Sequence, residues 1–415
     1  MSRINNLNAV KKLFKISVSE MRKAEKAFRL EMNMGLAGRK SSLKMIHTYA
    51  RRPAGTEKGR FIALDLGGTN FRILELELKG SGRIGRSRTM KFKLDKKHIT
   101  GTGDMFFGFI ADCLKDFLAK YKELNEIRKL GFTFSFPVKQ TGIASGYLVC
   151  WTKGFKASGV ISRNIVELLE TALRERGLHR VKVAALINDT VGTLVAKSYK
   201  DKDCDIGVII GTGTNACYAE PTMGGMIINT EWGNFNKIRR TAFDVLIDSQ
   251  SDRPGQQALE KMVSGMYLGE VALKVIRAYV LPALAHLNTE EMSAIESDRS
   301  KGLTITSKVL SEAGVNDTTP EERLACREIS SAISLRAARL SAACLAAIIK
   351  KIDPSVSDRH TIAIDGSVYE KHPSFANNIN AALKDLFGTK AARIKVVLAK
   401  DGSGIGAAVT AAAAG

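Results

Sequence analysis

The chain has 415 residues, 45% of them hydrophobic and 25% charged, and a formal net charge of +21. Such a length exceeds one ordinary core and predicts two lobes able to hold a ligand between them, in a soluble globular protein without the roughly 20-residue apolar run that spans a bilayer. Its six cysteines lack CxxC spacing and its six histidines lack HExxH, which argues against a disulfide framework and a dedicated transition-metal site and places the chain in a reducing cytoplasm.

In chain order, the first 60 residues carry 15 Lys and Arg against 4 Asp and Glu. These charges alternate with Leu7, Phe14, Val18, Met21, Phe28 and Met32 at helical spacing, so they read as solvated faces of helices packed on the body. No zinc finger, RNP motif or zipper supports nucleic-acid binding, and a basic surface also suits anionic phosphates. The acid-free first 19 residues resemble a transit peptide in that respect alone, since they hold a single arginine. Ser17 and Glu20 form a capping box, and Gly35 is placed to end the helix they start. A basic connector with Pro53 and Gly55 follows.

Strand-like runs at 60–66, 71–79 and 88–94, separated by short turns, predict an antiparallel meander. A helix near 103–121, a strand at 130–135, a helix near 162–176 and a strand at 181–187 then predict a partly parallel sheet with helices on its faces. Runs at 205–210, 216–220 and 226–230 repeat the meander, which predicts two similar lobes with a nucleotide between them. Residues 240–352 read as helical, ending in an alanine-rich stretch at 323–351. A strand at 361–364, another near 394–398 and a Gly/Ser loop opening a last helix complete the chain.

Four loops share one composition: 65–70, 211–215, 365–367 and 401–406 each set Asp or Thr among glycines at a strand end. Glycine lets backbone N–H groups approach an anion, and a carboxylate such as Asp65 can organise Mg2+ and its waters. A single Gly-Gly after a strand is also an ordinary hairpin turn; four such loops favour a nucleotide cleft. The absence of GxxxxGK[ST] excludes a P-loop. A second set, Ser135, Thr152, Lys153, Asn188, Asp189, Asn215, Glu231 and Glu260, suits a polyhydroxyl ligand, because amides and carboxylates each engage two hydroxyls. Taken singly, Glu260 also reads as a surface helix residue and Asn188 as a turn or cap residue. Asp189, ending an apolar strand, reads equally as a general base for an alcohol or as a cap of the following helix.

These residues sit in motifs that resemble the hexokinase family. Phe61-Ile-Ala-Leu-Asp-Leu-Gly-Gly-Thr-Asn-Phe-Arg72, Leu130-Gly-Phe-Thr-Phe-Ser-Phe-Pro137, Trp151-Thr-Lys-Gly-Phe155, Ile187-Asn-Asp-Thr-Val-Gly-Thr193, Gly211-Thr-Gly-Thr-Asn215, Arg253-Pro-Gly-Gln-Gln257 and Asp401-Gly-Ser-Gly404 occur in the family's order. The resemblance covers one hexokinase unit from the N-terminal helix to the last residues. It implies an α/β, actin-like ATPase (ribonuclease H-like) fold, with two lobes of mixed sheets flanked by helices. By that likeness, 1–56 is a helical segment packing on the large lobe, 57–188 the small lobe, 189–399 the large lobe, and 400–415 a loop and helix returning toward the small lobe.

The resemblance further implies an ATP-dependent hexokinase acting at the 6-hydroxyl of glucose, with mannose and fructose as further candidates, at the start of glycolysis. It assigns Ser135, Thr152, Lys153, Asn188, Asp189, Asn215, Glu231 and Glu260 to the sugar, with Asp189 as base and Lys153 adding positive charge near the reacting groups. Asp65, Gly67, Gly68, Thr69, Asn70 and Arg72 match the first phosphate loop, and Gly211, Thr212 and Gly213 the second. Asp365, Gly366, Ser367, Gly402 and Ser403 match the nucleotide side. Mg2+ is expected through ATP phosphates and water near Asp65, without ligands of its own, in a monomer or homodimer. Two departures stand out: the link 221–226 is short, and Ile405 replaces a lysine of animal forms. The rival readings are a catalytically silent sugar sensor and an actin-like ATPase acting on protein clients.

Overall fold

The computed structural model describes residues 7–67 and 70–414. The chain starts with helices Leu7–Phe14 (α1) and Val18–Leu36 (α2). The capping box is formed: the Ser17 hydroxyl accepts the Glu20 N–H at 3.2 Å, and the Glu20 carboxylate accepts the Ser17 N–H at 2.8 Å. Gly35 does not end this helix, which runs to Leu36 and caps at Ala37. A Cβ at Gly35 would meet Met45 Cγ at 2.6 Å, so glycine there serves close packing. The segment 1–56 is also not purely helical, because Ile46–Arg51 (β1) pairs antiparallel with the distant strand Met226–Asn229.

Lys58–Gly67 (β2), Asn70–Lys79 (β3) and Ile84–Lys93 (β4) form the predicted meander. Gly68 and Thr69, expected in the first phosphate loop, lie outside the described residues. After helices Lys96–Thr100 (α3) and Gly103–Lys120 (α4), Arg128–Phe134 (β5) runs parallel to β2. A small hairpin, Val138–Gly142 (β6) and Ser145–Leu148 (β7), and helix Ile165–Glu175 (α5) lead to Val181–Ile187 (β8), parallel to β5. The five-stranded sheet thus reads β4-β3-β2-β5-β8. Phe106, Phe107, Phe117, Phe132 and Phe134 fill its core.

Helix Asp189–Ser198 (α6) leaves this sheet for a second one. There Cys204–Ile210 (β9), Thr214–Glu220 (β10) and Met226–Asn229 (β11) are antiparallel. Six helices follow: Ala242–Gln250 (α7), Glu260–Val263 (α8), Leu268–Tyr279 (α9), Thr289–Ser297 (α10), Thr304–Glu312 (α11) and Pro320–Ile352 (α12). His360–Asp365 (β12) returns parallel to β9; then Ser367–Lys371 (α13), Phe375–Phe387 (α14) and Ile394–Leu398 (β13) complete a sheet ordered β1-β11-β10-β9-β12-β13. Helix α12 has 33 residues, starts with Pro320 at its first turn and is apolar enough by length and composition to cross a membrane. With 83% of its apolar window buried inside the protein, it is the large lobe's core helix.

The last helix, Gly402–Ala413 (α15), lies with α6 between the sheets, in a core shared by Ala63, Leu74, Ile187, Val191, Leu194, Cys217, Ala407 and Ala408. Their approach needs glycine. A Cβ at Gly131 of β5 would overlap the Ala407 carbonyl, and one at Gly406 would overlap the Gly192 carbonyl. Gly131→Ala is therefore expected to destabilise by about 1–3 kcal/mol, because backbone rather than a flexible side chain must shift. A lower midpoint in chemical unfolding checks this; an unchanged midpoint would mean that α15 can move off the sheet without loss.

Candidate active site

At the end of β2, Asp65 Oδ2 accepts Arg72 Nη2 at 2.7 Å and the Ser403 hydroxyl at 2.8 Å. Arg72 also pairs with Asp401, and Thr133 Oγ1 donates to the Ser403 carbonyl at 3.0 Å. The first and last loops are thereby tied together, bringing Gly67, Gly402 and Ser403 to one place. In the large lobe, the Gly211 N–H donates to the Gly213 carbonyl at 3.0 Å, closing the second turn around Thr212. At the end of β12, Gly366 has φ +121° and lies against Ile210, where a Cβ would meet the Ile210 carbonyl at 2.5 Å. Burial raises the pKa of Asp365, against the Gly366 N–H bonded to it, and the nearby Asp189 and Asp401 carboxylates add to the rise. All four glycine loops, with Ser367 opening α13, therefore converge.

A polyphosphate fits this junction: the glycines leave room for backbone N–H donors, and Ser403, Thr212 and Arg72 supply polar or positive groups. Asp65 and Asp365 are the oxygen donors of the kind a hydrated Mg2+ takes. Among the described residues no three His, Cys, Asp or Glu side chains form a metal cluster.

Beside the junction, the N-terminus of α6 distinguishes its two polar residues. Asn188 is the cap, with Oδ1 accepting the Val191 N–H at 2.9 Å. Asp189 is the first helical residue, half-buried, and its Oδ1 accepts the Thr190 N–H at 2.8 Å. The capping role thus falls to Asn188.

Across the large-lobe wall, Asn215 Nδ2 donates to Asn229 Oδ1 at 2.8 Å and to Glu231 Oε1 at 3.3 Å, while Asn229 Nδ2 donates to Glu231 Oε1 at 2.9 Å. Glu260 opens α8 and accepts the Thr214 N–H at 2.9 Å, so it faces inward rather than lying on the surface. Burial raises the Glu260 pKa, the Thr214 N–H opposes it, Glu231 adds to it and Lys153 lowers it. On the small-lobe side, Lys153 sits at φ 57° and donates to the Ser135 carbonyl at 3.1 Å. Trp151, stacked 5.6 Å from Phe155 and donating to the Ala157 carbonyl at 2.8 Å, stiffens the loop that carries Thr152 and Lys153. Ser135, Thr152 and Lys153 make no direct hydrogen bond to Asn215, Glu231 or Glu260 among the described residues, and the link between the two groups is the Lys153 charge acting on Glu260.

Three site residues escaped sequence reasoning. In the sequence Asn229 is one residue inside the run 226–230, without a signal of its own. Gly265 and Thr289 brace the second loop: the Gly265 N–H donates to the Gly211 carbonyl at 2.7 Å, and Thr289 Oγ1 donates to the Gly265 carbonyl at 2.6 Å. The two departures have local explanations. The short link forms a 3-10 turn, Pro221–Met223, closed by Gly224 at φ 63° and Gly225 at φ 77°. Ile405 packs against the core between the sheets.

Two family models described as hexokinase match residues 6–199 and 205–413, meeting just after α6. Hexokinase-2 of Oryza sativa subsp. japonica is 41% identical over 95% of this chain and 88% of its own length. Human Hexokinase-2 is 38% identical over 96% of this chain, which spans 47% of that larger protein. Among solved structures, a hexokinase from Schistosoma mansoni complexed with glucose superposes with a TM-score of 0.86 at 36% identity, covering 99% of this chain and 98% of that one. A hexokinase from Thermus thermophilus of the ROK type, at 15% identity and a TM-score of 0.55, shares the fold. With matches across nearly its whole length, the chain belongs to the hexokinase family.

Proposed function

We propose that this protein transfers the γ-phosphate of ATP to the 6-hydroxyl of a hexose, glucose first, with mannose and fructose also accepted. The observation that carries this reading is the position of Asp189, between four converging glycine loops and a wall of hydroxyl-pairing groups at Asn215, Glu231 and Glu260. The loops hold the phosphates, and the wall fixes which hydroxyl faces them. Asp189 takes the proton of that hydroxyl as it attacks, and Lys153 offsets charge on the transferring group. Mg2+, when bound, neutralises phosphate charge. Closure of the cleft brings Ser135, Thr152 and Lys153 onto the sugar and excludes water, the competing nucleophile.

A protein-client ATPase has no use for a hydroxyl-pairing wall opposite its phosphate loops, and a silent sensor has no use for a base between them. Steady-state ADP release over glucose, mannose, fructose and 6-deoxyglucose tests the reading. Turnover is expected with the first three and not with the last, which lacks the acceptor hydroxyl. ADP release at one rate with or without sugar would overturn it.

A further inference from the structure

We propose that Lys44, in the basic N-terminal segment, is a positioning residue for the hexose: its ammonium and its backbone together fix where the Glu231 carboxylate points. The inference rests on the hexokinase reading above and adds a role for a segment outside both clusters of site residues.

Glu231 has φ 52°, a left-handed conformation that costs a side-chain-bearing residue about 1–3 kcal/mol and persists only where its surroundings impose it. The surroundings here are the N-terminal segment and β10. The Thr230 carbonyl accepts the N–H of Lys44 at 3.1 Å and of Met45 at 3.5 Å, while Thr230 N and Oγ1 both donate to the Ala216 carbonyl, at 3.0 and 2.7 Å. The segment is itself pinned. Buried Glu31 on α2 accepts the Ser42 N–H at 2.5 Å, the Ser42 hydroxyl at 2.8 Å and the Ser41 hydroxyl at 3.1 Å.

Glu231 Oε1 is taken by Asn215 and Asn229, whereas Oε2 lies 3.8 Å from Lys44 Nζ. On its other side stands Glu260, whose pKa the Glu231 charge helps to raise. A carboxylate held in one orientation offers a sugar hydroxyl a fixed, charge-assisted acceptor. Lys44 is the cation that faces Oε2 and fixes its direction. Because the lysine side chain is 48% exposed, salt screens the pair.

Lys44→Met is expected to raise the hexose KM about three- to fivefold, the range of a partly exposed ion pair, with kcat and the ATP KM within about twofold of wild type. Lys44→Arg should restore most of the loss. Glucose Kd from tryptophan fluorescence, which Trp232 beside Glu231 can report, should move with KM. Raising ionic strength should weaken glucose binding in wild type and leave Lys44→Met unchanged. An unchanged glucose Kd in Lys44→Met, or an equal rise in ATP KM, would overturn the proposal while leaving hexokinase activity intact. Wild-type protein without hexose-dependent turnover would instead sink the functional reading and this inference with it.

Discussion

Asp189→Ala is expected to lower kcat about 10²-fold or more, with glucose binding near wild type, because a positioned base contributes about 10²–10⁴-fold. The fold should survive the change: Asn188, not Asp189, caps α6, and the first turn keeps the Asn188 bond to the Val191 N–H. Asp189→Asn is the sharper variant. It retains an oxygen for the Thr190 N–H that now binds Oδ1, yet an amide cannot take a proton. Equal loss in both variants is the expected result, with intact glucose binding by fluorescence. If either variant turned over like wild type, the base would lie elsewhere.

Arg336→Met is expected to cost about 3–5 kcal/mol of stability, the penalty for leaving a buried charge without its partner. Arg336 Nη1 of α12 and Asp244 Oδ2 of α7 lie 2.7 Å apart, each side chain 1% exposed. Burial pushes the Asp244 pKa up, but Arg336 and the Thr241 groups outweigh it and hold it below the usual carboxylate range. A depressed folded-state pKa adds stability above the unfolded value and loses it as pH falls through the folded one. The arginine also lies 4.8 Å over the Phe14 ring, which anchors α1. Adding Asp244→Leu should recover much of the loss, since removing both charges avoids the lone buried carboxylate. Thermal melts of the single and double variants check this; a double variant no more stable than Arg336→Met would contradict it.

Local signals carried much of the architecture into the sequence. The Ser17–Glu20 box and the alternating runs around Asp65 depend on neighbours a few residues away, so composition and spacing announce them. The four glycine loops were legible individually, yet their convergence depends on pairings such as Asp65 with Ser403, 338 positions apart. Strand β1 gives little sequence signal because its partner strand, ending at Asn229, lies far along the chain and its own residues, Ile-His-Thr-Tyr-Ala-Arg, alternate weakly. The Asp189 ambiguity was real at the sequence level: Asn188 and Asp189 are both good caps, and only the bond to the Val191 N–H separates them. Gly35 looked like a terminator because its use, contact with Met45, is tertiary. Lys44 carried no signal at all, being one basic residue among many in the first 60.

On the proposed reading, the four loops, Asp189 and the hydroxyl-pairing wall act together as one phosphoryl-transfer site for a sugar. Phosphorus NMR of the product formed from ATP, Mg2+ and glucose tests it most directly. The ATP γ-phosphate should appear as glucose 6-phosphate, in step with ADP, in wild type and fall about 10²-fold or more in Asp189→Asn. Phosphate on another hydroxyl, or inorganic phosphate released regardless of glucose, would contradict it.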